Sequence, residues 1–205
     1  ETAELFDPVA GEFHPTGTLT LGNRFGHVAA RLPDGRVLVA GGCRSQTPCP
    51  LKSEIYDPTT GQWQEAAALH VVRYHAVAAV LHDGRVLVVG GMDHFTAVVN
   101  EFVGQASAEV FDPATGQWTM TEPLGARRMS GAAAVLNDGR VLVVGLIPTG
   151  DPEHPDASAE IYDPRTNRWT ATSPLTDLVS LNVTATLLPS GRVLVAGGRI
   201  GIAPE

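Results

Sequence analysis

Unbroken apolar runs recur along this chain at a spacing of about fifty residues, the mark of one small unit stacked several times. They are Val37-Leu38-Val39-Ala40, Val86-Leu87-Val88-Val89, Val141-Leu142-Val143-Val144 and Val193-Leu194-Val195-Ala196. A short Val-rich run with no polar alternation predicts a strand buried on both faces. Ahead of each lies a run of small residues, such as Ala76–Val80 and Ala132–Val135. Small side chains suit a crowded axis where neighbouring sheets converge. A block of Glu, an aliphatic residue, an aromatic and Asp also recurs four times, beyond the first three runs and once near the N-terminus: Glu4–Asp7, Glu54–Asp57, Glu109–Asp112 and Glu160–Asp163. A further aromatic follows in every copy: Phe13, Trp63, Trp118 and Trp169. These runs predict the first, second, third and fourth strands of a unit.

Turn residues punctuate the runs. Asp34-Gly35, Asp83-Gly84, Asp138-Gly139 and Ser190-Gly191 predict two-residue hairpins between the first and second strands. Between the third and fourth strands, Asp57-Pro58-Thr59-Thr60-Gly61 and its counterparts place Pro where φ is preset and Gly where it turns left-handed. The last copy has Asn167 where the others have Gly11, Gly61 and Gly116. Asn is among the residues that best tolerate positive φ.

No segment shows sustained helical periodicity. The fold class is all-β, a β-propeller of four-stranded antiparallel blades in a single domain, 1–205. The blades are approximately 19–69, 70–124, 125–175, and 176–205 completed by 1–18. The N-terminal strands three and four and the C-terminal strands one and two add up to one blade. Their pairing would latch the ring and remove its open edges. A piece of a larger ring and a half-ring that dimerises are the alternatives.

On these marks the chain resembles the Kelch-repeat family: Arg73-Tyr74-His75 before a first strand, Gly90-Gly91 ending a second, Tyr56 in a third and Trp63 in a fourth. The resemblance covers nearly the whole chain. Copy three departs from it with Gly145-Leu146, and copy four with Ser180 in place of the Arg. In similar domains the Arg at this lead-in lines the pocket. The family also includes a copper radical oxidase, whose cross-linked Tyr and Cys have no counterpart here, and a sialic acid epimerase.

Composition narrows the class. Hydrophobic content is 43%, and no apolar run is long enough to span a membrane as a helix. The formal net charge is −8 without a Lys/Arg cluster, which argues against nucleic acid and anionic membranes as partners. Without an initiating Met or a visible signal peptide, the chain reads as a mature or trimmed product. Cys43 and Cys49 share one loop. They could form a local disulfide if the protein is extracellular or periplasmic, or remain free thiols. No cofactor motif is present.

Repetition also sorts residues. What recurs in every copy serves the blade, and what occurs once serves something else or nothing. Arg24, Arg73 and Arg128 recur. They either pair with the repeated Glu or form a partial ring of guanidinium groups at the channel mouth. Two residues on, Gly26, His75, Ser130 and Asn182 vary, as a ligand-facing column would. The loops joining second to third strands differ most. One holds Asp93 and His94, and another Asp151, Glu153, His154 and Asp156. Either they are solvated acidic loops or they bind a divalent cation.

With no nucleophile or phosphate-loop motif, the leading function is a non-catalytic binding propeller. It would present the variable-loop face and channel mouth to a protein, peptide or glycan, as a monomer or homodimer. The candidate ligand residues are Arg24, Gly26, Arg73, His75, Asp93, His94, Arg128, Ser130 and Asn182. An enzyme with an axial pocket, epimerase- or isomerase-like through His75 and the Arg residues, is the second reading. A structural scaffold or a fragment of a larger propeller is the third.

Overall fold

The computed structural model describes residues 2–43, 49–92, 104–145, 158–173, 175 and 181–199. Among the described residues sixteen strands form five antiparallel sheets. The first complete blade is β3 (Phe25–Arg31), β4 (Val37–Cys43), β5 (Lys52–Asp57) and β6 (Gln62–Ala68). The second is β7 (Val77–Val80), β8 (Val86–Val89), β9 (Ala108–Asp112) and β10 (Gln117–Met120). The third is β11 (Ala132–Val135), β12 (Val141–Val144), β13 (Ala159–Asp163) and β14 (Arg168–Ala171). Each is a four-stranded meander in sequence order. No helix among the described residues is long and apolar enough to cross a membrane.

The apolar second strands make sense once the blades are stacked. In β8, Val86 and Val88 point into a core shared with Ala30, Leu38 and Ala40 of the blade before. Leu87 and Val89 point the other way, into a core shared with Val141, Val143 and Tyr162 of the blade after. One strand feeds two cores through its period of two, so every position must be apolar. The Ala-rich strands pack in a row, β3 on β7, β7 on β11 and β11 on β15 (Leu181–Leu187). That row is the inner wall, and its small side chains permit the close approach.

The hairpins differ from the two-residue loops expected from Asp-Gly. In each, a Leu N–H donates to the Arg carbonyl, as Leu32 does to Arg36 (2.8 Å), and the Gly N–H donates back to the same Leu, as Gly35 does to Leu32 (3.0 Å). The loop is therefore three residues, with only Gly at positive φ, 91° at Gly35. A type I turn closed by a left-handed Gly is the next commonest hairpin. Asp34 fixes it by accepting the Arg36 N–H and Nε–H (3.0 and 2.7 Å). The turns between third and fourth strands follow expectation. Gly61 has φ 70° and Asn167 φ 57°, and the Asp57 carboxylate accepts the Thr59 N–H at 2.8 Å.

The two terminal hairpins, β1 (Glu4–Asp7) with β2 (Glu12–Pro15) and β15 with β16 (Val193–Arg199), stand as separate two-stranded sheets. The expected β16–β1 pairing is not formed among the described residues, and no packing comparable to the inner row joins β15 back to β3. The consequence shows in exposure. Phe6 is 53% and Phe13 66% exposed, whereas their counterparts Phe111 and Trp118 are 0% and 5%.

Candidate functional site

The repeated Arg residues are frame. Arg24, Arg73 and Arg128 are 7%, 0% and 1% exposed. Arg73 donates through Nε to Glu109 (3.1 Å) and through one terminal nitrogen to the Gly90 and Ser107 carbonyls (2.8 and 2.7 Å). Arg128 repeats the pattern with Glu160 (2.8 Å) and the Gly145 and Ser158 carbonyls (both 2.9 Å). Arg24 pairs with Glu54 at 2.8 Å. The planar fork ties the lead-in of each blade to both ends of its second-to-third loop. These three guanidinium groups are thus buried in ties to carboxylates and backbone carbonyls.

The repeated Glu completes the tie. Glu54 accepts the Thr20 hydroxyl (2.8 Å) and the Leu21 N–H (3.0 Å). Glu160 accepts the Gly125 N–H (2.8 Å) and the Ala126 N–H (3.2 Å). In the second blade Glu109 accepts the His70 N–H and its Nδ1–H, at 2.8 and 2.7 Å.

The column at Gly26, His75 and Ser130 has a backbone explanation. All three are left-handed, with φ of 65°, 55° and 48°. They are linked blade to blade: the His75 N–H donates to the Gly26 carbonyl (2.9 Å) and the Ser130 N–H to the His75 carbonyl (2.8 Å). Gly and His are residues that tolerate this region, and Ser is small. The variation seen in sequence is thus partly the tolerance of a strained position. The Gly pairs belong to the same ladder. Gly42 N–H donates to the Arg73 carbonyl (2.7 Å) and Gly91 N–H to that of Arg128 (2.8 Å). A Cβ on Gly41 or Gly90 would lie 2.3 Å from those carbonyl oxygens.

Around the ladder the variable face carries exposed chemistry. His75 is solvent-exposed yet partly desolvated, which holds its imidazole below the usual pKa. Its ring packs tilted against Tyr74 (4.0 Å between centroids, 55° between planes), and Tyr74 meets Phe25 edge-on at 5.3 Å. Beneath them Tyr74, Met92, Met129 and the Cys43–Cys49 disulfide form a small separate core. Asn182 lies within β15, as Gly26 lies within β3. Asp93, His94 and the acidic positions 151–156 lie outside the described residues. Among the described residues no group of His, Cys, Asp and Glu could hold a metal.

One feature escaped the sequence reading. A groove with a cavity volume of about 550 Å³ opens on this face between the lead-ins of the second and third blades, walled by Leu51, Val71, Val72 and Ala106 and edged by His70 and Arg127. The available signal was that His70 and Arg127 have no equivalents in the other copies, where Leu21 and Gly125, and Asn23 and Val72, occupy their places.

The opposite face is uniform. Asp34–Arg36, Asp83–Arg85 and Asp138–Arg140 make the same local pair, and the Asp side chains are occupied by their own turns.

A model of the Kelch motif matches residues 24–70 and 73–125. Kelch-like protein 25 of Xenopus tropicalis is 28% identical over 205 residues, covering 96% of this chain and 32% of that relative. The chain thus spans less than a third of the relative's length.

Proposed function

Because this chain is a Kelch-repeat protein, we propose that it is a non-catalytic binding propeller whose variable face and channel mouth take a segment of a partner protein. One observation carries the reading. The turn face is built from identical, internally bonded turns, whereas the Phe25–Tyr74–His75 cluster and the groove lie on the other face. A rigid frame presenting variable loops is the common arrangement for binding. The buried Arg–Glu ties supply that rigidity directly beneath the loops.

A displayed peptide library selected against the folded chain tests this. Binders should be lost on His75→Asp, a residue type that tolerates left-handed φ, and retained on Arg36→Gln at the turn face. Binders insensitive to the first and sensitive to the second would overturn the assignment of the face.

The same reading includes completion of the fourth blade by β16–β1 pairing. In the complete blades Val37, Val86 and Val141 pair with Tyr56, Phe111 and Tyr162. Carrying that register over sets Val193 opposite Phe6 and Leu194 opposite Leu5. Support comes from the apolar residues each edge leaves exposed, Leu5, Phe6 and Phe13 on one and Leu194 on the other. Within one chain this gives four blades, and between two copies eight, both sizes that propellers adopt. Light scattering separates the two, at one or two masses of 21.6 kDa. Rapid hydrogen exchange throughout β1 and β16 would refute the pairing in either form.

A further inference from the structure

We propose that the groove between the second and third blades is a receptor for an acidic peptide segment that carries an apolar side chain next to a carboxylate. The inference deepens the binding reading above and rests on it. The groove volume of about 550 Å³ falls within the range of ligand sites, and its walls are aliphatic: Leu51, Val71, Val72 and Ala106. Leu51 is among the large apolar residues the fold leaves exposed.

Its rim carries a cationic group, Arg127. Arg127 is exposed and makes no ion pair among the described residues. It adjoins Arg128, whose guanidinium is fully engaged, so the two neighbouring Arg serve different ends. His70 has its Nδ1 held by Glu109 at 2.7 Å. That contact fixes the ring and leaves Nε2 as its remaining polar atom. Glu109 is itself buried and occupied by Arg73, so it presents no charge to a ligand. Gln105, also on the lining, is consumed by the frame: its amide donates to the Val72 carbonyl (2.8 Å) and its oxygen accepts from Ser107 (3.1 Å).

Repeat logic points to the same place. His70 and Arg127 each occur in one copy only, and Arg127 takes no part in the Arg–Glu frame. In a chain with net charge −8, an exposed guanidinium over aliphatic walls is a local reversal of sign. It complements a carboxylate, with Arg able to take it in a bidentate pair. The apolar walls then bury the neighbouring side chain.

The test uses two fluorescein-labelled octapeptides, one alternating Leu and Glu and one alternating Leu and Lys, titrated by fluorescence anisotropy against the full chain. The Leu/Glu peptide should bind at least ten-fold more tightly than its Lys counterpart, weaken as salt rises, and lose at least ten-fold on Arg127→Glu. Arg127 is exposed, so that variant should unfold at the wild-type temperature. Equal binding of the two peptides, or a Leu/Glu affinity unchanged by Arg127→Glu, overturns the proposal. Library binders that depend on His75 but not on Arg127 would refute the groove and leave the variable face standing. Absence of any binder on that face would refute both.

Discussion

Replacing Glu109 by Gln should be among the most costly single changes in this chain. Glu109 is fully buried, with one oxygen on the Arg73 Nε–H (3.1 Å) and the other on the His70 N–H and Nδ1–H (2.8 and 2.7 Å). Gln offers one oxygen and one NH₂, so one group of donors meets another donor. Arg73 meanwhile loses its counter-charge. It cannot swing to water, because its guanidinium is held by the Gly90 and Ser107 carbonyls. Burial already pushes its pKa down, and the Glu109 charge opposes that shift. Leaving one member of a buried pair uncompensated costs roughly 3–5 kcal/mol. For a domain of this size each kcal/mol is about 2–4 °C, so Tm should fall by roughly 6–20 °C. Urea denaturation and thermal unfolding followed by circular dichroism read the change. Lys52→Met, which breaks the exposed Lys52–Glu65 pair, serves as control and should cost under about 1 kcal/mol. The double variant Arg73→Met with Glu109→Leu should not recover stability, because two buried carbonyls then lack their donor. A loss below about 1 kcal/mol for Glu109→Gln, or full recovery in the double variant, would refute the frame role of the pair.

Gly41→Ala or Gly90→Ala should destabilise by roughly 2 kcal/mol or more, combining positive φ with a clash on the next blade. Gly116→Ala, at similar φ but with nothing within 4 Å, should lose about half as much, and equal losses in urea melts would contradict the inter-blade contact. Turn hydrogen bonds hold the Asp57, Asp138 and Asp163 carboxyls below their ordinary pKa of 3.8, through the Thr59 hydroxyl, the Arg140 N–H and the Arg165 N–H first. Their folded pKa is depressed, so the stability they add is complete above 3.8 and disappears as pH falls through the folded values; carboxyl NMR midpoints at or above 3.8 would remove the effect. Cys43→Ser with Cys49→Ser should cost about 2 kcal/mol for so short a loop and loosen Tyr74, Met92 and Met129. Near-UV circular dichroism unchanged by that double variant would show that the disulfide does not order the small core.

The fold was legible because each blade satisfies its own local rules. The turn Asp residues, the left-handed Gly or Asn167 and the apolar second strands are decided within a few residues of chain. The hairpin length was misjudged for an equally local reason. Asp-Gly suits a two-residue loop, but Leu32 and Arg36 bond across a three-residue one, and the two cases share the same dipeptide. The site was less legible. From sequence Arg24, Arg73 and Arg128 read as frame or as ligand residues, and only their partners show the buried ties. His75 and Ser130 read from sequence as part of a ligand-facing column, whereas their left-handed backbone permits only a few residue types there.

The sequence by itself determined the repeat, the four-strand blade, its strand order and which face would be uniform, since these follow from periodicity and turn chemistry. Only the tertiary structure decided that the recurring charges are buried, that the Gly pairs exist for the approach of the next blade, and that Leu51, His70 and Arg127 meet across one groove. The reason is physical. Those facts depend on how close one blade lies to the next, and that distance is written in no single segment of the chain.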